Sequence, residues 1–169
     1  MTESGGVVDV VIEDNRWTPI GLAELAQHAC AGALAGLDLD ASNFEIALLG
    51  CDDVRISQLN GAFRDKPTPT NVLSWPAYEL APHAKGHLPI WPDRPIETRR
   101  ALGDIAIAYD TCAAEAADQN KAFGDHVTHL LVHATLHLLG YDHESDEDAA
   151  IMEAKEVEIL ANAGIEDPY

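Results

Sequence analysis

Residues 133–143, HATLHLLGYDH, are the most informative segment of the chain. His133 and His137 stand four positions apart in an apolar run, so on a helix they project from nearly the same face, with Cβ atoms about 6 Å apart. Gly140 is placed to end that helix, because glycine adopts the left-handed conformation of a C′ residue without steric cost. The chain can then reverse and bring His143 back toward the other two imidazoles. The segment therefore predicts a helix whose end gathers three histidines.

Three imidazoles are the ligand set of a catalytic zinc site. They leave the ion its full charge and one open position for water, whose pKa such an ion lowers to about 7. We therefore predict one zinc ion per chain, held by His133, His137 and His143, in a metallohydrolase. The spacing also fits the zinc-protease signature HExxHxxGxxH, but Ala134 replaces the glutamate that serves there as general base. A zincin-type metallopeptidase is thus the second interpretation, and no general base is identified.

Other ionisable residues near this segment are weaker candidates. His126 and His129 fall near the same helix face, but a fourth protein ligand would close the site, so we expect them to be packed or exposed rather than metal-bound. Three acids could orient an imidazole, although acids after a turn are more often exposed: Asp142, Glu144 and Asp146. The acidic stretch 144–169 is interpreted as a solvated helix face.

The segments around the histidine motif alternate between strand and helix patterns. Short β-branched or apolar runs predict four strands, at 7–12, 44–49, 72–75 and 102–109. Helices are predicted at 20–37, after a cap at Asp52 or Asp53, and over the rest of the chain beyond 109 with one interruption at Gly140. The second helix carries four apolar residues on one side: Val54, Ile56, Leu59 and Phe63. This pattern predicts an α/β or α+β domain with a small sheet of about four strands.

Length and composition point to one soluble domain. We predict a single domain over residues 1–169, in which the proline-rich stretch 76–100 is a surface excursion. No run reaches the roughly 20 apolar residues that cross a bilayer, and the first residues lack signal-peptide features. The three scattered cysteines indicate free thiols in a reducing compartment, so a cytoplasmic location is expected. The net charge of −19 argues against broad polyanion binding but allows a local positive site.

Five stretches of the chain resemble the YbeY family of bacterial ribosomal-RNA maturation factors. The HxxxHLxGYDH run at 133–143 is the most specific of them. Residues 59–65 (LNGAFRD) leading into 70–76 (TNVLSWP) are similar to the family's LNxx[YF]R and TDVLSFP, and residues 102–105 (LGDI) and 166–169 (EDPY) also match. The resemblance runs from about residue 55 to the end of the chain.

The resemblance implies a single-domain fold with a mixed sheet and flanking helices, and a zinc-dependent endoribonuclease specific for single strands. Such an enzyme acts in 3′-end maturation of small-subunit (16S) ribosomal RNA and in ribosome quality control. The metal ligands carry over to the three histidines of 133–143, and the family's functionally important arginine carries over to Arg64. This chain departs from the family pattern at three positions outside the ligands and in a longer 76–100 segment: Asn71 for Asp, Trp75 for Phe and Ala134 for Gly.

The chemistry of Arg64 agrees with that role. A phosphodiester gains negative charge as its transition state forms, and the planar guanidinium matches two phosphate oxygens. The predicted partners are single-stranded ribosomal RNA and, from the acidic surface, small-subunit ribosomal proteins or assembly factors. A non-catalytic ribosome-assembly factor with a structural zinc remains an alternative, and either a water or the ribose 2′-OH is left as nucleophile.

Overall fold

The computed structural model describes residues 6–64, 68–77, 100–142 and 145–169. Within these ranges the chain forms four strands: β1 Val8–Ile12, β2 Phe44–Cys51, β3 Val72–Pro76 and β4 Arg100–Ala108. It also forms five α-helices: α1 Leu22–Gly36, α2 Asp53–Arg64, α3 Tyr109–Asp118, α4 Phe123–Leu138 and α5 Asp146–Asn162. The predicted strands and the first helix agree with these bounds to within two residues.

The four strands form one mixed sheet in the order β1-β2-β4-β3. Strands β1, β2 and β4 run parallel, and β3 pairs antiparallel with β4 along the edge. Gly103 lets this edge strand approach, because its φ is +147° and a Cβ there would collide with the Trp75 carbonyl oxygen. The predicted fold class, a small mixed sheet of about four strands packed with helices, is confirmed.

Alternation along β4 gives the sheet two apolar faces. Ile105 and Ile107 enter the main core with residues of α1, α4 and α5, whereas Ala106 and Ala108 pack on the opposite face with Ile56 of α2. This follows from the two-residue period of a strand, which points successive side chains to opposite sides. The large helical layer on one face therefore carries α4, and α2 covers the other.

Helix α4 ends as its sequence predicts. Gly140 has a φ of +101°, its N–H donates to the His137 carbonyl at 3.1 Å, and the Tyr141 N–H donates to the Leu136 carbonyl at 3.0 Å. These two bonds form a Schellman motif, which needs a left-handed residue at C′. The helix packs against α1, α3, α5 and the edge strand β3. Its histidine-bearing end is therefore fixed against the edge of the sheet.

Two details of the predicted helices are wrong. The helical block after β4 is interrupted at 119–122 as well as at Gly140, because Asn120 adopts a left-handed φ of +54° and ends α3. Val54 does not share the buried side of α2, since it is 69% exposed while Ile56 is buried. The helix cap is Asp52, whose Oδ1 accepts from the Arg55 N–H at 2.8 Å.

Some expectations concern parts of the chain beyond this description. Residues 78–99, most of the expected surface excursion at 76–100, lie outside the described residues, so the one-domain division of 1–169 stays a prediction. All three cysteines, at 30, 51 and 112, are buried free thiols as predicted. In the described part of the chain, no helix combines the length and apolar character that a membrane span needs.

Candidate active-site cleft

A cleft of about 930 Å³ opens between α4, the edge strand β3 and the last residue of the chain. His133 and His137 both line it, so the structure brings these two predicted ligands to one place. The opposite wall is formed by β3 and the residues that precede it. The full lining comprises Asn60, Thr68, Pro69, Thr70, Asn71, Val72, Leu73, Ser74, His129, Leu130, His133, Ala134, His137, Asp142 and Tyr169.

His137 is held by the edge strand. Its Nδ1 lies 2.6 Å from the hydroxyl oxygen of Ser74, a residue 63 positions away that α4 reaches because it packs on β3. A hydrogen bond at one ring nitrogen fixes the orientation of an imidazole, and it also fixes the tautomer where the partner can only accept. This bond makes Nε2 the nitrogen of His137 that would bind a metal ion.

His133 is held in the same way by a buried carboxylate. Its Nδ1 lies 3.2 Å from Oε1 of Glu156, whose side chain is 1% exposed. The same oxygen accepts from His129 Nε2 at 2.9 Å and from the Tyr169 hydroxyl at 3.0 Å. Glu156 therefore joins α5, two turns of α4 and the end of the chain in one hydrogen-bond network.

The donors around Glu156 keep it ionised. Burial alone would raise the pKa of this carboxyl, but the hydrogen bonds from His129 and His133 and their charges lower it to about 2. A carboxylate can only accept, so His133 donates its Nδ1–H to Glu156, and in a neutral ring this places the lone pair on Nε2. That tautomer is the one that a metal-binding imidazole needs.

The first half of α4 carries a second histidine–carboxylate pair. Nε2 of the buried His126 lies 3.0 Å from Oε1 of Glu115, which also accepts from Asn71 Nδ2 at 3.0 Å. His126 is thus packed, in line with its prediction. His129 is half-buried and also lines the cleft. Both rings turn Nε2, rather than Nδ1, toward a carboxylate.

The other predicted site residues are only partly described. His143 and Glu144 lie outside the described residues, and among those that are described no group of three or more His, Cys, Asp or Glu is placed to hold a metal ion. Arg64 is the last residue of α2, and its side chain also lies outside the description. Asn60, one turn earlier, lines the cleft and donates to the Thr68 carbonyl at 3.0 Å, so this end of α2 borders the cleft.

Two acids near the motif, Asp142 and Asp146, lie in different environments. Asp142 lines the cleft, whereas Asp146 is exposed in the first turn of α5. The interpretation of 144–169 as a solvated face is wrong at Glu156, which is fully buried. The signal was its position on the apolar stripe of α5, four residues after Met152 and three before Ile159.

Fold and cleft together define a class: an α/β protein that presents two carboxylate- or hydroxyl-backed histidines to a polar cleft, as metal-dependent hydrolases do. The family model described as Endoribonuclease YbeY matches residues 11–164. The chain belongs to the endoribonuclease YbeY family.

Relatives and a solved structure agree with this assignment. Proteins named endoribonuclease YbeY are 56% identical in Ruegeria sp. (strain TM1040), over 96% of both chains, and 43% identical in Azorhizobium caulinodans, over 96% of this chain and 95% of the relative. The solution structure of TM1509 from Thermotoga maritima superimposes with a TM-score of 0.55 at 18% identity, covering 93% of this chain and 91% of that one. This structural likeness supports the fold alone.

Proposed function

We propose that the protein is a zinc-dependent endoribonuclease that cuts single-stranded RNA in the cleft between α4 and β3. The class of enzyme follows from its family. The main support for the site is that two cleft histidines are each hydrogen-bonded at Nδ1. His133 bonds to Glu156 and His137 to Ser74. His143, three residues beyond the glycine that ends α4, supplies the third imidazole of the proposed site.

The residues present fit a zinc ion. An ionised glutamate behind one imidazole is an outer partner that metal-binding histidines characteristically have, and the Ser74 hydroxyl occupies the same ring nitrogen of the other imidazole. When bound, zinc supplies a Lewis acid that can polarise a phosphoryl oxygen and lower the pKa of water. The contribution of the chain is to hold both imidazoles in one orientation and, through Glu156, to fix the tautomer of His133.

Phosphate binding has to come from a limited part of this acidic chain. Six of the ten lysines and arginines fall between residues 64 and 100, together with only four acids. Elsewhere, Arg16 is paired with Asp14 and Asp110. We therefore assign the neutralisation of charge on the scissile phosphate to Arg64, at the end of the helix that borders the cleft.

The biological setting follows the same proposal. The substrate is single-stranded ribosomal RNA, and the role is 3′-end maturation of small-subunit RNA and ribosome quality control in the cytoplasm. The net charge of −19 suits basic partners such as small-subunit ribosomal proteins or assembly factors. A pull-down from cell extract that recovers no small-subunit component would count against these partners without touching the nuclease activity.

The direct test uses the purified chain, its metal content and three substrates. We expect about one zinc per chain, cleavage of a short single-stranded RNA, loss of cleavage with a chelator and recovery when zinc is returned. Duplex RNA should resist, and casein should be untouched, because the helix has Ala134 where the peptidases carry their glutamate. A 2′,3′-cyclic phosphate on the product would identify the ribose 2′-OH as nucleophile. Cleavage that persists in the zinc-free protein would refute the metal assignment.

Replacing Arg64 with alanine tests its role. We expect turnover to fall by the order of 10²-fold, the usual cost of losing one donor that stabilises transition-state charge. Bound zinc should be unchanged, since Arg64 is not among the proposed ligands. The matched control is Arg55→Ala on the same helix, where the arginine pairs with Glu13 at 3.3 Å. Full cleavage by the Arg64 variant would remove its assignment.

A further inference from the structure

We propose that the ring of Tyr169 is a stacking subsite for an unpaired nucleobase at the rim of the cleft, an inference that rests on the proposed RNA cleavage. Tyr169 lines the same cleft as His133 and His137. It is 60% exposed, and among the described residues only two other large hydrophobic side chains are comparably exposed, Val11 and Val54. A tyrosine this exposed at the mouth of a polar cleft is the feature that needs explaining.

Tyr169 is exposed, but its ring is held in place. Its hydroxyl donates to Glu156 Oε1 at 3.0 Å and lies 3.3 Å from His129 Nε2. The Tyr169 N–H donates to Asp167 Oδ1 at 2.8 Å, and the ring meets the His129 ring edge-on, with centroids 5.6 Å apart and planes at 89°. Binding would therefore cost little side-chain ordering, which is how a preorganised surface gains affinity.

Nucleobases are the chemical class that such a ring recognises. Every base has a flat apolar face, and proteins that bind single strands commonly stack bases on exposed aromatic side chains. A paired base is already stacked within its duplex and cannot use the platform. The subsite thus supplies a physical reason for preferring single-stranded RNA.

The position of the ring indicates which base it would take. Tyr169 and His133 bond to the same oxygen of Glu156, so the platform and the proposed metal ligand are neighbours. A base stacked on Tyr169 would belong to a nucleotide that flanks the phosphate held at the histidines. Stacking would then place that phosphate for cleavage.

The experiment separates the ring from its hydroxyl. Binding and cleavage of a short single-stranded oligoribonucleotide are measured with the zinc-loaded wild type, Tyr169→Ala and Tyr169→Phe. We expect the alanine variant to bind about tenfold more weakly, within the range found for losing one base–aromatic stack. The phenylalanine variant keeps the ring and should bind to within about twofold of the wild type. All three proteins should retain zinc.

Abasic substitution, one nucleotide at a time, identifies the stacked base. At one position the abasic sugar should weaken binding to the wild type by about the same factor, roughly tenfold, and have no further effect on Tyr169→Ala. Equal losses in both proteins at every position would overturn the proposal. So would an alanine variant that binds like the wild type, or one that loses zinc, since Tyr169 would then act through Glu156 and His133.

The phenylalanine variant gives one more decisive outcome, because a loss as large as that of alanine would assign the effect to the hydroxyl and reject stacking. Failure of the nuclease proposal looks different. A wild type that binds RNA through Tyr169 but never cuts it would reject cleavage and support the subsite. A wild type that cuts RNA independently of Tyr169 would reject only the subsite.

Discussion

The two halves of helix α4 use the same residue type in opposite ways. In the first half, His126 and His129 turn Nε2 toward the carboxylates of Glu115 and Glu156. In the second half, His133 and His137 turn Nδ1 toward Glu156 and Ser74. All four histidines lie along one stripe of the helix, at spacings of three, four and four.

What distinguishes the halves is which ring nitrogen bonds to the partner side chain. The Nδ1 atoms of His126 and His129 are buried without a hydrogen-bond partner in the described part of the chain, and a nitrogen shielded in this way is a poor ligand for an ion in the cleft. In the second half Nδ1 is the nitrogen that is bonded, which assigns metal binding to Nε2. Ring orientation, rather than spacing, therefore distinguishes the structural histidines of this helix from its candidate ligands.

The largest expected difference between the halves is in zinc content. His137→Ala should lose both the bound zinc and the cleavage activity, because two imidazoles hold the ion far less tightly than three. His126→Ala should keep about one zinc per chain and instead lose roughly 1–3 kcal/mol of unfolding free energy, as expected for a buried, hydrogen-bonded side chain. Metal analysis and urea unfolding of the two variants measure both effects.

The same pair of variants can contradict the roles assigned to the two halves of the helix. If His126→Ala lost its zinc while the urea midpoint stayed at the wild-type value, the first half of the helix would hold the metal. If His137→Ala kept zinc but lost activity, the second half would act on the substrate directly and the proposed ligand set would be wrong.

The sequence predicts the second half of α4 better than its surroundings. The i, i+4 histidine pair and the helix-ending glycine are local features, fixed by helix geometry and by the left-handed backbone at Gly140, and both are present in the fold. His143 as third ligand stays a prediction. The sequence also separated His126 from the proposed ligands, though by ligand number rather than by spacing, because a fourth protein ligand would close the site.

The partners of those histidines could not be predicted, because they are neighbours in space only. Ser74 comes from the edge strand, and Glu156 lies in an acidic stretch that resembles a solvated face. Only its place on the apolar stripe of α5 distinguishes Glu156 from the other acids around it. Tyr169 was part of a family-like ending, but nothing local indicated that its hydroxyl would reach Glu156.

Glu156 bonds to a histidine in each half of the helix, so replacing it measures how much a shared carboxylate contributes to zinc binding. We expect Glu156→Gln to bind zinc about 10- to 100-fold more weakly, the usual effect of removing the carboxylate behind a metal-binding histidine. The matched control is Glu115→Gln, which changes a carboxylate that bonds to His126 and Asn71 but to neither His133 nor His137. Competition with a chelator of known affinity measures zinc binding for both variants.

The contrast between the two glutamates is what tests the proposal. The Glu115 variant should bind zinc as the wild type does, and its defect should appear only in unfolding free energy. Equal losses of zinc affinity in both variants would show that the two carboxylates act through general stability. Glu156 could then no longer be described as orienting a metal ligand while Glu115 only stabilises the fold.

The smallest expected effect is that of replacing Ser74, whose uncharged hydroxyl is hydrogen-bonded to His137 Nδ1. A neutral hydrogen bond contributes about 1 kcal/mol net, so Ser74→Ala should weaken zinc binding by about fivefold, less than the loss of the charged Glu156. Ser57→Ala is the matched control, because that hydroxyl donates to the Asp53 carbonyl at 2.7 Å on α2, which covers the opposite face of the sheet. Zinc affinity of both variants is measured by the same chelator competition. A Ser74 variant with unchanged zinc affinity but slower cleavage would mean that the hydroxyl acts on the substrate rather than orienting the ring. Ser74 and Glu156 would then have different roles.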